Sequence, residues 1–219
     1  MSRRVYVYAL MDDRAGVRRI RGRCIEIIDV AGFQVGIERR SRPPALSEAA
    51  LRVQHEIVMR LGRRAAATMP VRFGTFVEED ELEAILRRRR GTLRAALDAV
   101  SGRAQMTLRF FGGTKPHVPR RPAAQSGTAF LRARRAAARP PISPEARAIR
   151  RALRTLVRAE RIDGPRGAVA LTMHHLVDCS GVSVYRKRLR SAAAQHLKGV
   201  ELKVSGPFPP FAFAPELLA

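Results

Sequence analysis

The chain has 219 residues, is 46% hydrophobic and carries a net charge of +23 at pH 7. That is enough apolar material for one large domain or two smaller ones, each with its own core. No run of about 18 consecutive apolar residues of the bilayer-spanning kind occurs, Met1-Ser2-Arg3-Arg4 passes straight into a strand-like pattern without a signal-peptide core, and Cys24 and Cys179 read as separate reduced thiols, so the expectation is a soluble cytoplasmic protein.

Val5 to Leu10 is an apolar, β-branched and aromatic run, the pattern of a strand buried on at least one face, and Asp12 to Gly16 breaks it. Residues 24–30 and 33–37 are two more strand-like runs. Ala31-Gly32 between them supplies the positive φ of a hairpin turn. Ser47 is an N-cap for a helix through about Arg64, with Leu51, His55, Val58 and Leu61 or Met59 as its inner stripe. Val71 to Phe76 reads as a short strand fixed by Pro70. In the next helix, acids from Glu78 to Glu83 crowd the first turns and Arg87 to Arg90 follow, as the helix dipole favours. Leu82, Ile85, Leu86, Leu93, Leu97 and Val100 form its buried stripe, and Met106 to Phe111 reads as the last strand of this unit. Strands with two helices on one side of an antiparallel sheet predict an α+β domain over 1–111, a ferredoxin-like variant.

Residues 112–145 differ in kind: six prolines and many arginines leave few large apolar groups, so a basic connection is expected, with one short helix over Ser126 to Ala138. Ser143-Pro144-Glu145 then starts a helix read through Arg161, with Ile149, Leu153, Leu156 and Val157 as its apolar face. The period of two in Val169, Leu171, Met173, His175 and Val177 marks a strand. A helix over Gly181 to Leu197 and a strand over Val200 to Val204 complete a smaller α+β domain, 146–219. Its terminal Gly206-Pro207-Phe208-Pro209-Pro210-Phe211-Ala212-Phe213, lacking three N–H donors, is expected as an extended segment that pins its rings against a surface.

The charge is uneven. Residues 1–110 hold 22 arginines against 13 acids, residues 111–219 hold 20 basic side chains against 6 acids. The helix 145–161 lines up Arg147, Arg150, Arg151, Arg154, Arg158 and Arg161, a surface that could track phosphates, so a nucleic-acid-binding module is the alternative function. No aromatic stacking set accompanies it, and a genome that prefers arginine gives the same face. Adjacent strand residues face opposite ways, so His174 and His175, near Asp178 and Cys179, do not make a metal site without a bulge. Gly112-Gly113-Thr114-Lys115 lacks the spacing of a phosphate loop, no nucleophile has a defensible histidine and acid, and His55 is expected as a satisfied core histidine. Arg72, in a strand between Val71 and Phe73, would face away from both and pair with Asp29 or an acid of Glu78 to Glu83, or with a partner's carboxylate.

Two strings far apart carry more. Pro70-Val71-Arg72-Phe73-Gly74-Thr75 and the terminal Gly206 to Phe213, with Tyr6-Val7-Tyr8, His55 and His175-Leu176-Val177 in the same order and spacing, resemble the gas vesicle protein F/L family (GvpL/GvpF) over Val5 to Phe213. Pro70 to Gly74 match its Pro-Val-Arg-Phe-Gly string in full. Gly206, Pro207, Pro209, Pro210 and Phe213 match its terminal string, with Phe208 in place of tryptophan and Phe211 in place of tyrosine. His175 stands where tyrosine is usual, Tyr185 where phenylalanine is usual and Gln105 where glutamate is common. The resemblance implies a modified ferredoxin-like domain followed by a smaller α+β domain. It also implies an accessory protein of gas vesicle assembly that catalyses nothing and uses no cofactor or metal. Such a protein binds the small hydrophobic shell protein, in a chaperone-like or nucleating role, and other accessory gas vesicle proteins. The motif positions, structural or partner-binding, are Tyr6, Tyr8, His55, Pro70, Arg72, Phe73, Gly74, Gly206, Pro207, Phe208, Pro209, Pro210, Phe211 and Phe213.

Overall fold

The structure, a computed structural model, describes residues 4–12, 19–20, 24–112, 140–197, 199–215 and 217. The connection expected over 112–145, with its short helix over Ser126 to Ala138, lies for the most part outside the described residues. The fold is α+β with two sheets, and the chain divides into two compact units, Met1–Gln105 with Phe208–Ala219, and Met106–Pro207. The terminal segment from Phe208, read from sequence as part of the second domain, therefore belongs to the first unit.

The first unit is built on β1 (Arg4–Asp12), which lies inside a sheet of order β2-β3-β4-β1-β5 with β2 (Arg19–Ile20), β3 (Ile25–Val30), β4 (Phe33–Arg39) and β5 (Ala67–Pro70). All of Val5 to Met11 is buried, as a strand covered on both faces must be. The register with β4 runs Val7↔Ile37 and then Ala9↔Gly36, so Tyr8 is the extra residue of a bulge. That insertion shifts the phase of the alternation. Tyr6, Tyr8, Ala9 and Met11 thereby join one cluster with Ile57, Val58 and Leu61 of α1 (Glu48–Gly62). The Ala31-Gly32 turn between β3 and β4 has φ of 51° and 80°, the two positive angles of a type I′ hairpin.

The helices flank the sheet on both faces, where the sequence pattern predicts one. A Cβ on Gly36 would meet Leu61 of α1, whereas Phe33, three residues earlier and so on the other face, lies under Arg94 of α3 (Arg90–Val100). Arg94 also donates to the Gly32 carbonyl at 2.7 Å and pairs with Asp12 at 3.3 Å. The acid-rich helix is broken at Arg89 into α2 (Glu79–Arg88) and α3, and the predicted stripe of Leu82, Ile85, Leu86, Leu93, Leu97 and Val100 is buried across both. In α1, Ser47 caps as expected, its Oγ accepting from Ala50 N at 3.1 Å. The inner stripe is displaced around the helix from the one predicted: Gln54, Ile57, Val58 and Leu61 are buried, while Leu51 and His55 are exposed.

The second unit has a sheet of order β10-β7-β9-β8, from β7 (Arg103–Gly112, entering this unit at Met106), β8 (Ala159–Asp163), β9 (Val169–Asp178) and β10 (Val200–Phe208, leaving it after Pro207). The predicted last strand of the first domain is thus β7 of the second sheet. Its Met106, Leu108 and Phe110 pack with Leu171, Met173 and Val177 of β9 against α4 (Pro144–Leu153) and α5 (Val182–His196). The helix read through Arg161 stops at Leu153, passes through a 3₁₀ turn at Arg154–Leu156 and gives way to β8, paired antiparallel with β9. Ala159, Glu160, Arg161 and Ile162 show no apolar-polar alternation that would mark a strand in the sequence. Gly206 and Pro207, expected outside any central strand, lie at the end of β10 at the rim of the sheet, where a missing donor is tolerated.

Candidate functional site

The Pro70 to Thr75 string is not the strand its apolar residues suggest. Pro70 ends β5, which pairs with Ala9 to Asp12 of β1, and Phe76 opens β6 (Phe76–Glu78), which pairs with Arg4 to Tyr6. Both short strands lie on one edge of β1, and Val71 to Thr75 makes the excursion between them. Its two ends are tied to β1: Val71 N donates to Tyr8 O and Val7 N to Thr75 O, both at 2.9 Å. Within the turn, Thr75 Oγ1 donates to Arg72 O at 2.8 Å. Gly74 sits at φ 87° with open space beside its Cα, so the position requires glycine for its backbone angle and not for a close approach. Arg72 is exposed on the turn instead of facing across a strand.

The bulge on β1 and the turn bring the tyrosines to Phe73 and Gln54. Tyr6 donates to Gln54 Oε1, Gln54 Nε2 donates to Val71 O at 3.0 Å, and Gly74 N donates to the Tyr6 hydroxyl at 3.1 Å. Every polar atom in this chain of bonds comes from the motif strings except those of Gln54. The Tyr6 ring meets Tyr8 edge-on at 4.9 Å and Phe73 at 6.2 Å. Tyr8 donates to Glu38 Oε2 at 2.7 Å, and Arg40 Nη1 lies 3.7 Å from the same oxygen. Burial pushes the Tyr6 phenol above its usual value, against the Gly74 N–H that pulls it down. Tyr8 is pushed up further, by burial and then by its bond to the Glu38 carboxylate. Both phenols stay neutral donors at physiological pH.

These residues line a pocket of about 260 Å³ whose walls are Tyr6, Tyr8, Phe73, Val53 and Pro44, with Glu38, Arg40 and Gln54 as its polar groups. Aromatic walls with a few fixed polar atoms suit a side chain with an apolar body and a polar tip. Gln54, Glu38 and Arg40 are not legible as site residues from motif matching. Gln54 does carry a signal: it falls in register with Ile57, Val58 and Leu61, and a polar residue on a core face needs partners.

The second cluster of motif residues is the terminal segment, seated on α1. The His55 ring, exposed and not the core histidine expected, stacks on Phe211 at 5.7 Å and meets Phe208 edge-on at 5.6 Å. Pro209 fits against Gly62, where a Cβ would come within 2.9 Å of Pro209 Cγ. Pro210 is buried, Phe211 to Phe213 form a 3₁₀ turn in place of extended chain, and Ala212 N donates to Gln105 Oε1 at 2.7 Å. Phe213 is half-buried. Gly206 in the second unit accepts from Arg186 Nη2 at 2.6 Å, and Pro207 is exposed.

The histidines of β9 face opposite ways, as alternation requires. His174 lies 3.1 Å from Thr107 Oγ1 and 3.2 Å from Asp163 Oδ2. His175, fully buried, contacts Tyr185 and Glu160. The arginines proposed to track phosphate are partly engaged: Arg150 bonds Glu160 at 2.6 Å, Arg158 bonds Asp178 at 2.6 Å and Arg161 lies 3.8 Å from Asp163.

A family model described as gas vesicle synthesis protein GvpL/GvpF matches residues 4–215. Among solved structures, the gas vesicle protein GvpF from Anabaena sp. PCC7120 is similar with a TM-score of 0.73 at 14% identity, over 98% of this chain and 99% of that one. GvpF from Microcystis aeruginosa is similar with a TM-score of 0.73 at 13% identity, over 97% and 99%. No curated protein matches the chain. With nearly its whole length matched by one family model and its fold shared with two GvpF structures, the chain belongs to the GvpL/GvpF family of gas vesicle synthesis proteins.

Proposed function

We propose that this chain is a non-enzymatic accessory protein of gas vesicle assembly that binds the small hydrophobic shell protein before or during its polymerisation, in the cytoplasm at the growing vesicle. The observation that carries this reading is the family match over residues 4–215. Physical need supports it: a subunit that buries its apolar face only in a polymer aggregates unless a partner covers that face meanwhile. The Tyr6–Tyr8–Phe73 pocket is the contact surface this proposal assigns in the first unit, because an apolar body with a polar tip is what it accommodates. Other accessory gas vesicle proteins are further partners under the same reading.

The nucleic-acid alternative has less support, because the helix ends at Leu153 and Arg150, Arg158 and Arg161 lie near carboxylates. The deciding experiment is co-purification of the tagged chain with the shell protein of its own gene neighbourhood, washed at low and high salt with nuclease present. Retention of the shell protein at high salt is expected. Capture of nucleic acid alone, released by salt, overturns the reading.

A further inference from the structure

The second unit holds a pocket of its own, of about 510 Å³, that no part of the assembly reading uses. Arg109, Asp163, Pro165, Arg166, Thr172 and His174 line most of it. Alternation puts Thr172 and His174 on the face of β9 opposite Leu171, Met173 and Val177, which pack on the helices. The pocket is therefore on the side of the sheet away from the core.

Its charge is lopsided. Among the described residues, Arg109 and Arg166 have no carboxylate within ion-pair distance, and the Arg109 side chain reaches only Ser205 Oγ, at 3.3 Å. The single lining carboxylate, Asp163, is already shared, with His174 at 3.2 Å and Arg161 at 3.8 Å. Arg166 is held in place by a tight turn, its backbone exchanging bonds of 2.9 and 3.1 Å with Val169. Thr172 adds a hydroxyl. Burial lowers the His174 pKa below its usual value, and Arg109 and Arg161 lower it further, while Asp163 opposes them. The imidazole thus adds little charge near neutral pH, and its two nitrogens are taken by Thr107 and Asp163.

We propose that this pocket is an oxyanion site that seats an acidic side chain of a partner protein, its carboxylate held between Arg109 and Arg166. Two guanidinium forks around one open volume match the planar acceptor geometry of a carboxylate. No Phe, Tyr or Trp ring lines the pocket, and the one imidazole, His174, is tied at both nitrogens by Thr107 and Asp163, so a nucleobase finds no broad stacking platform among the described residues. Pro165 and Val169 supply apolar wall for the methylene stem of the acid. Asp163 ends β8, which is the last strand in the sheet order, so an extended acidic segment reaching the pocket runs beside strand backbone.

The test is fluorescence anisotropy of the full chain with a labelled hexaglutamate peptide at an ionic strength of about 0.15 M, where diffuse surface attraction is largely screened. The double variant Arg109→Gln with Arg166→Gln should weaken binding by about tenfold or more, since it removes both charge-assisted forks. The equally charged control Arg147→Gln with Arg151→Gln, exposed on α4, should change it by less than about twofold. Free glutarate should compete for the wild-type chain. Should the glutamine variant fail to fold, Arg109→Lys with Arg166→Lys keeps the charge and loses the fork, and is still expected to bind more weakly. Equal losses in the pocket and control variants, or no peptide binding, overturn the proposal. So does binding of inorganic phosphate without the peptide, which marks a free-anion site, or tighter pocket-dependent binding of a thymidine hexanucleotide, which marks a nucleic-acid site.

Discussion

His175 Nδ1 and the Tyr185 hydroxyl lie 2.7 Å apart in the buried core of the second unit, so the two positions that depart from the family's usual tyrosine and phenylalanine are each other's partners. A carboxylate can only accept, so His175 Nε2 donates to Glu160 Oε1 at 3.2 Å while Nδ1 shares a hydrogen bond with the Tyr185 hydroxyl. Tyr185→Phe alone should cost about 1–3 kcal/mol, because it strands a buried ring nitrogen. His175→Tyr combined with Tyr185→Phe should cost less than the sum of the two single changes by about 1 kcal/mol or more. Urea unfolding of the four chains gives the coupling, and strict additivity would show the pair to be coincidental.

Glu160 links that pair to solvent. Burial alone would raise its pKa, but the bond from His175 and the charge of Arg150 outweigh it, and the carboxyl ends below its usual value. A carboxylate whose folded pKa is depressed stabilises the fold fully above its unfolded value of 4.5. The contribution is lost as pH falls through the lower folded value. Glu160→Gln should therefore be less stable than wild type near pH 7, with the gap closing as pH falls below the ordinary carboxylate range. Parallel stability curves in urea between neutral and acid pH would contradict this assignment.

Much of the architecture was legible in local chemistry. Ser47 and Ser143 cap helices as their spacing predicts, Ala31-Gly32 turns the hairpin, and the buried stripe from Leu82 to Val100 stands. What could not be read were decisions made by distant partners. Met106 to Phe111 looks like a strand in either sheet, because alternation fixes faces and not neighbours. Residues Val71 to Phe73 are apolar enough for a strand, and only the positive φ of Gly74 and the ties to Tyr8 and Val7 make them a turn. His55 shows the same limit. Its place on an apolar-looking stripe suggested the core, yet its actual partners are rings more than 150 residues away in the chain.

The hairpin turn contains a correctable strain. Ala31 holds φ at 51°, a conformation that costs an ordinary side chain about 1 kcal/mol and asparagine less. Ala31→Asn should raise stability by about 0.5–1 kcal/mol without altering the register from Asp29↔Gln34 to Val30↔Phe33. Thermal unfolding is the check. A fall in melting temperature would mean that the turn tolerates alanine for another reason.

The terminal segment supports a separation of stability from binding. Phe208 and Phe211 enclose His55, and Pro209 fills the space over Gly62. Phe208→Ala should lower melting temperature through loss of buried ring area, by roughly 1–3 kcal/mol for a half-buried phenylalanine. Gly62→Ala should do so by pressing a methyl on Pro209. Both variants should still retain the shell protein at temperatures where they are folded. Wild-type melting with lost retention would move this segment from scaffold to contact surface.

Gln54 is the residue on which the turn and the pocket jointly depend. Its amide oxygen takes the Tyr6 proton and its nitrogen holds Val71 O, so one side chain ties α1, β1 and the start of the turn together. Gln54→Leu keeps the volume and removes both partners, leaving the Val71 carbonyl and the Tyr6 hydroxyl short of bonds in a buried place, at a cost of about 2–4 kcal/mol. Tyr6→Phe removes only the shared hydroxyl and should cost about half as much, with Gly74 N able to turn to water. Gln54→Glu preserves an acceptor for Tyr6 but brings a second carboxylate close to Glu38, and loses the donor to Val71. It should therefore be worse than Tyr6→Phe at neutral pH and recover in mild acid, as protonation restores a donor. Stability of the three variants at pH 5 and pH 7, by about 1 kcal/mol or more of relative change for the glutamate, separates a bond network that holds the turn from simple packing, which predicts no pH effect at all.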